Sequence, residues 1–302
     1  MMRIDRILCP VDFSKMSLDA LATARTLARR HRATLYVQHV FQFQPMPFEC
    51  YAPSTYLADR YVSSREAARG ALRALAESSD STDEDVRWIM SDGLVVDSIR
   101  SLARREGVDL IVMTSKGRGS VSDKVARGAP CPVVVRRIRH GIAADTRAMD
   151  GTIRLRRVVF PTDLGGPATG ALRYALKVAE EYGAEVTLLH VVERGRHARR
   201  PHRLTATAAR RLGGMVSAYP SVATTVVPVV REGRAHEQIV QYATATRADL
   251  VVMPVRARSS LERVVFGSTA RQVLKQGPCP VMTVQTTYSA DSRGEPRTVA
   301  LS

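Results

Sequence analysis

The sequence predicts an α/β fold built twice, as two doubly wound, five-stranded parallel sheets of Rossmann-like character. Two observations carry that reading. The segment Arg6-Ile-Leu-Cys-Pro-Val-Asp-Phe-Ser returns as Arg157-Val-Val-Phe-Pro-Thr-Asp-Leu-Gly, an offset of 151 in a chain of 302 residues. Ala33-Thr-Leu-Tyr-Val-Gln-His-Val then matches Ala184-Glu-Val-Thr-Leu-Leu-His-Val, and Val108-Asp-Leu-Ile-Val-Met matches Ala248-Asp-Leu-Val-Val-Met, in the same order. Duplication of a whole domain explains ordered matches at that distance. Within each copy, short and nearly all-apolar runs alternate with helical patterns, the signature of a parallel sheet covered on both faces.

In repeat 1 the apolar run Ile7 to Val11 reads as the first strand. A helix follows from Ser17, its expected N-cap, with Leu18, Leu21, Ala24, Leu27 and Ala28 on one face. Leu35 to Val40 is the second strand, Phe41 to Ser54 a proline-rich loop, and Tyr56 to Ser79 mostly helix. Val86 to Met90, Leu110 to Thr114 and Val133 to Arg137 complete the strands, with a helix over Val95 to Glu106. Residues 138–152 lack periodicity and read as a linker. Repeat 2 is expected as strand 157–161, helix 167–182, strand 185–192, helix 204–219, strand 224–230, helix 235–246, strand 250–254, helix 268–276 and strand 281–285. The polar tail from Thr286 onward is expected to be loose. In domain terms the chain divides into 1–139, a linker 140–153, 154–287 and a tail 288–302.

The offset drifts, from 151 at His39/His190 to 140 at Met113/Met253 and 148 at Cys131/Cys279. Repeat 1 thus has 11 extra residues between its second and fourth strands and 8 fewer between Met113 and Cys131.

Apolar residues make up 45% of the chain, enough for two cores of ordinary domain size. The start lacks the apolar stretch of a signal peptide, and no run approaches the ~20 residues of a membrane span, so a soluble, cytoplasmic protein is expected. Cys9, Cys50, Cys131 and Cys279 show no metal-ligand spacing and no disulfide framework. Cys131 and Cys279, in matching Pro-Cys-Pro positions, read as small buried hydrophobes. Net charge is +16 and uneven: 23 basic against 18 acidic residues in 1–150, and 22 against 11 in 151–302. The segment Arg194 to Arg203 concentrates the second excess. It reads either as a polyanion-binding or nucleic-acid-binding loop or as a solvated surface, and few aromatics stand near it to stack on bases.

Ligands of an open doubly wound sheet sit beyond the carboxyl ends of the strands. Repeat 2 brings there the first-strand Pro161-Thr162-Asp163 and the fourth-strand loop that runs from Met253 into a helix at Gly267-Ser268-Thr269. A helix start of Gly-Ser offers unpaired N–H groups, a hydroxyl and the positive dipole end, which suit a phosphate; Arg256 and Arg258 would add charge. The same residues also suit plainer roles. Gly-Ser is a common N-cap, Asp163 fits an Asx turn, and His39 and His190 fit core or strand-end positions.

The Pro-x-Asp first strand, the Asp-Leu-[Ile/Val]-Val-Met fourth strand, and Ala129-Pro-Cys-Pro-Val133 or Gly277-Pro-Cys-Pro-Val281 before the last strand together resemble the universal stress protein family, over nearly the whole chain. The resemblance implies sheet order 3-2-1-4-5, pairing of domains through the last strand and hence an internal pseudo-dimer, and, in one branch, ATP binding through G-x2-G-x9-G-[S/T]. It also implies that Asp163 contacts adenine or ribose, with Val192 near the base, Gly267 and Ser268 at the phosphates, and Pro161, Thr162, Met253, Val255 and Thr269 around them.

Both repeats depart from the phosphate motif. Repeat 2 keeps its spacing with Pro254 and Ala257 in place of the first two glycines, which removes a donor and adds a methyl where a phosphate must approach. Repeat 1 has Thr114, Gly117 and then Gly119-Ser120 after one residue instead of nine, so its loop reads as excised. The expectation is a cytoplasmic stress-response or regulatory module whose adenine nucleotide, if any, binds weakly in repeat 2. No nucleophile-and-base motif supports an enzyme beyond slow ATP hydrolysis. A protein partner and association of whole chains are left open by the sequence, and no membrane is indicated.

Overall fold

The computed structural model describes residues 3–43, 54–78, 85–115, 120–137, 153–165, 169–193, 201–219, 224–257, 264–265, 267–286 and 288. The linker 138–152, Cys50, Arg194 to Arg200, Arg258 and most of the loop Phe41 to Ser54 lie outside them. Repeat 1 runs β1 (Arg6–Pro10), α1 (Lys15–His31), β2 (Thr34–Phe41), α2 (Ser54–Glu77), β3 (Val86–Asp92), α3 (Val95–Arg105), β4 (Leu110–Ser115), α4 (Val121–Gly128) and β5 (Val133–Arg137). Repeat 2 follows as β6 (Arg157–Thr162), α5 (Thr169–Tyr182), β7 (Glu185–Val192), α6 (Pro201–Ser217), β8 (Val226–Glu232), α7 (Ala235–Ala245), β9 (Leu250–Ala257), β10 (Val264–Val265), α8 (Ser268–Gln276) and β11 (Val281–Gln285).

Each repeat forms a parallel sheet of order 3-2-1-4-5, and the two last strands join them. β11 pairs antiparallel with β5, Val281 opposite Val135 and Thr283 opposite Val133. The pair of domains therefore shares one continuous sheet. The strands have few polar side chains because both faces are covered: α1, α2, α5 and α6 pack on one, α3, α4, α7 and α8 on the other, and each resulting core holds residues of both repeats. Fully buried Ile7, Leu35, Phe160 and Leu188 anchor the first core, and Leu8, Ile111, Leu189 and Val251 the second. Polar bonds cross the seam as well. Gln285 Nε2 donates to the carbonyl of Ala129 at 2.7 Å, and the Arg30 guanidinium donates to the carbonyl of Glu181 at 3.1 Å while lying over the Tyr182 ring.

Several local expectations need correction. α1 starts earlier than expected, because Ser14 rather than Ser17 is its N-cap, its hydroxyl accepting from the Ser17 N–H at 3.3 Å. The buried stripe of α1 runs through Ser17, Ala20, Leu21, Ala24, Leu27 and Ala28. Leu18, about 100° round the helix from Ser17, is instead exposed. The helix into which the fourth-strand loop of repeat 1 leads, given no bounds by the sequence pattern, is α4, capped by Ser120. β9 runs three residues past Pro254 and turns back as a hairpin with β10, Ala257 opposite Val264. The chain after β11 is also packed where it is described. The Thr286 N–H donates to Val255, Tyr288 packs edge-on against Tyr174 at 5.5 Å, and a side chain at Gly170 would collide with the Tyr288 carbonyl.

Cys9, Cys131 and Cys279 are buried and unbridged; burial pushes the Cys9 and Cys279 thiols up to about 12 and the Cys131 thiol higher still, as for inert core residues. Among the described residues no helix is long and apolar enough to cross a membrane.

Candidate functional site

Parallel strands place all five carboxyl ends of a repeat along one edge, so the exits of β6, β7 and β9 and the start of α8 lie on the same side of the sheet. The exit of the first strand is built alike in both repeats. The residue after the motif aspartate takes a left-handed conformation, Phe13 at φ 59° and Leu164 at φ 57°, which throws the chain sharply off the sheet. A histidine of the second strand holds that bend. His39 Nδ1 donates to the Val11 carbonyl at 2.9 Å and His190 Nδ1 to the Thr162 carbonyl at 2.8 Å. These are strand-end histidines with a positioning role, and their recurrence at the same 28-residue distance from Val11 and Thr162 is the sequence signal for it.

The two aspartates are used differently. Asp12 Oδ1 accepts both the N–H and the hydroxyl of Ser14. Asp163 Oδ1 accepts the Gly165 N–H at 3.0 Å, an Asx turn, and residue 165 has no hydroxyl to add. Asp163 is exposed at the edge of the sheet.

The fourth-strand helices differ more. In repeat 1 the N-terminus of α4 is filled from within: Ser120 Oγ accepts from the Asp123 N–H and lies 2.8 Å from Ser122 Oγ and 3.3 Å from Ser115 Oγ. Ser115, Ser122 and Asp123 are all buried there. A hydroxyl already caps this helix start and an acidic residue sits in its first turn, which disfavours an anion there. In repeat 2 Gly267 is the N-cap of α8 and offers no side chain, and the first turn carries no acidic residue. A Cβ built on Gly267 meets nothing within 4 Å among the described residues. The first-turn N–H groups of α8 have no side-chain cap, which is the arrangement an oxyanion completes.

The described ends of the segment between β9 and α8 are strand rather than open glycine loop. Pro254 pairs with Val284 in β11 and Ala257 with Val264 in β10, so the positions of the first two motif glycines are drawn into strand. The residues present thus fit one phosphate at α8 and do not fit a triphosphate wrapped by a glycine arc.

The structure places Pro161 and Thr162 buried at the end of β6, Thr162 Oγ1 accepting the Leu164 N–H at 3.2 Å. Met253 and Val255 lie on the neighbouring β9 with their side chains in the core under α7 and α8, so only their backbone borders the edge. Val192 ends β7 on the other side of β6, buried, and Arg256 lies in β9; Arg258 is outside the described residues. Gly267 and Ser268 are exposed at the start of α8, with Thr269 half-buried. The sequence reading passed over Glu193, whose carboxylate accepts the Ala235 N–H at 2.9 Å and so occupies the N-terminus of α7 beside Val192. Of the two described helix starts of repeat 2, that of α7 is thus occupied and that of α8 has no side-chain cap.

The fourth-strand motif aspartate has a different task. Asp109 Oδ2 accepts the N–H groups of Asp5 and Arg6 at 2.7 and 3.0 Å, and Asp249 Oδ2 those of Arg156 and Arg157 at 2.8 and 2.9 Å. Each clamps the amino end of the first strand, across the sheet from the ligand edge.

Comparison with known proteins agrees with both repeats. The model of the universal stress protein family matches residues 3–137 and 154–285. Universal stress protein MJ0531 of Methanocaldococcus jannaschii is 27% identical over 139 residues, covering 43% of this chain and 82% of that protein. Universal stress protein YxiE of Bacillus subtilis is 27% identical over 144 residues, 43% of this chain and 97% of its own length. A universal stress protein from Archaeoglobus fulgidus shares the fold across both repeats, with a TM-score of 0.66 at 21% identity over 94% of this chain and 97% of that one.

Proposed function

The chain belongs to the universal stress protein family, and from that premise we propose that it is a cytoplasmic stress-response or regulatory module that binds one adenine nucleotide weakly, in repeat 2. The observation that carries the reading is the contrast between the two helix starts. α4 is capped by Ser120 and carries buried Asp123 in its first turn, while α8 begins at uncapped Gly267. In this reading the Gly267, Ser268 and Thr269 N–H groups hold a phosphate, Asp163 receives the ribose or base, and Val192 borders the base. Repeat 1 serves as the structural partner.

The chain divides into domains 1–139 and 154–287, joined by 140–153 and followed by a tail; what supports this is that the two family matches, 3–137 and 154–285, leave 138–153 between them. Affinity is limited by Pro254 and Ala257 and by the hairpin they enter, to tens of micromolar or poorer, less than ~7 kcal/mol of binding.

Equilibrium dialysis with labelled ATP and magnesium tests the reading by comparing the native chain with Gly267→Val. The new side chain has room among the described residues but fills the phosphate's place, so binding should vanish while the unfolding midpoint stays put. Retained binding in Gly267→Val would refute the assignment; no binding by either protein would favour a module that works without nucleotide.

A further inference from the structure

The stretches of sequence that contain the two outer strands of the shared sheet differ in charge. Between Arg194 and Arg231 the sequence has eight arginines and no aspartate or glutamate. The matching stretch of repeat 1, residues 42–91, has five arginines and eight acidic residues. The described elements within these stretches, α2 and β3 in one and α6 and β8 in the other, lie at opposite ends of the sheet, since β3 is one edge strand and β8 the other.

Two of the arginines on α2 are paired with carboxylates, whereas Arg73 there is exposed with no ion pair among the described residues. On α2, Arg65 is held by Asp92 through two bonds of 2.8 and 2.9 Å, and Arg69 by Glu66 at 2.9 Å. On α6, which packs on β7 and β8 through Ala208 and Leu212, no carboxylate is present. Arg210 and Arg211 lie on its exposed side and make no ion pair or hydrogen bond among the described residues. Adjacent uncompensated guanidiniums repel one another, and an arrangement of this kind is relieved by an external anion.

We propose that the α6 rim of repeat 2 binds the phosphate backbone of double-stranded nucleic acid without reading its sequence. Arginine favours phosphate oxygens through its planar fork of donors, and a run of them matches a polymer of phosphates better than a single anion. Between Arg194 and Arg231 the sequence has no Phe or Trp and a single Tyr, Tyr219, which packs against the core, so it offers little for unpaired bases to stack on. That favours a duplex over a single strand. The surface is separate from the α8 edge and does not rest on nucleotide binding there.

The test is fluorescence anisotropy of a labelled 20-base-pair DNA duplex with the full chain, from about 50 to 200 mM salt. Binding should weaken steeply with salt, and Arg210→Ser with Arg211→Ser should flatten the log–log slope by about 2 and weaken binding at the lowest salt at least about fivefold. Arg69→Ser with Arg73→Ser, the same charge change on α2, should alter it less than about twofold, and Gly267→Val should leave it unchanged. Circular dichroism checks that each variant is folded. The proposal is overturned by absence of binding at the lowest salt, by equal losses in the two double variants, or by poly-glutamate competing as well as unlabelled duplex. Salt-sensitive self-association without DNA binding, abolished by the α6 changes, would also overturn it and assign the rim to the acidic end of a second copy.

Discussion

His190 Nδ1 donates to the carbonyl of Thr162 at 2.8 Å, tying the end of the second strand of repeat 2 to the bend at which Asp163 leaves the first. The bond fixes where Asp163 points, because Leu164 immediately follows in a left-handed conformation. His190→Phe keeps a ring and removes the donor, leaving a half-satisfied carbonyl. It should lower stability by about 1 to 2 kcal/mol, read from the urea midpoint, and weaken ATP binding further. A variant with native stability would show that water replaces the ring nitrogen at no loss.

Asp249 works at the opposite end of the same strand. Asp249→Ala orphans the N–H groups of Arg156 and Arg157, both at charge-assisted distances, and should cost about 2 to 3 kcal/mol. Ligand affinity in the folded protein should be unchanged, since the clamp lies across the sheet from Gly267. Denaturant unfolding and dialysis on the same sample separate the two effects.

Arg247 has φ 51° at the turn after α7, where repeat 1 has Gly107 at φ 58°. A side chain in that conformation is strained, and Arg247 is exposed. Arg247→Gly should therefore stabilise the chain by about 0.5 to 1 kcal/mol. A fall in the thermal midpoint would show that the arginine makes contacts worth more than the strain.

His31 ends α1 at the contact between repeats, beside Arg30 and across from Glu181. Burial holds its imidazole below the ordinary value of 6.5, with Glu181 opposing and Arg30 adding to the effect. The folded state thus binds this proton less readily than the unfolded state. The contribution is present above about pH 6.5 and lost as pH falls through the lowered folded value. His31→Gln should flatten the decline in stability from pH 7 to pH 5. An unchanged pH profile would contradict that assignment.

The duplication made most of the fold legible. Matching apolar runs set the strands, and α8, β5, β7 and β11 fall where the pattern puts them. What escaped the pattern was decided by short polar contacts or by pairing across the chain. Ser14 wins the α1 cap from Ser17 because Asp12 holds it; α4 is short and nucleated by Ser120; β10 exists only because β9 is extended past Pro254 to receive it. At the ligand edge, the motif spacing pointed to Gly267 and Ser268. It did not distinguish side chains that face the edge from those of Met253 and Val255, which face the core, and alternation within β9 explains both.

Calorimetric titration of the full chain with magnesium ATP tests the asymmetry between the repeats most directly. One site per chain, with a dissociation constant of tens of micromolar or poorer, is the expected result, because α4 has a side-chain cap and α8 has none. Two equivalent sites per chain would contradict it.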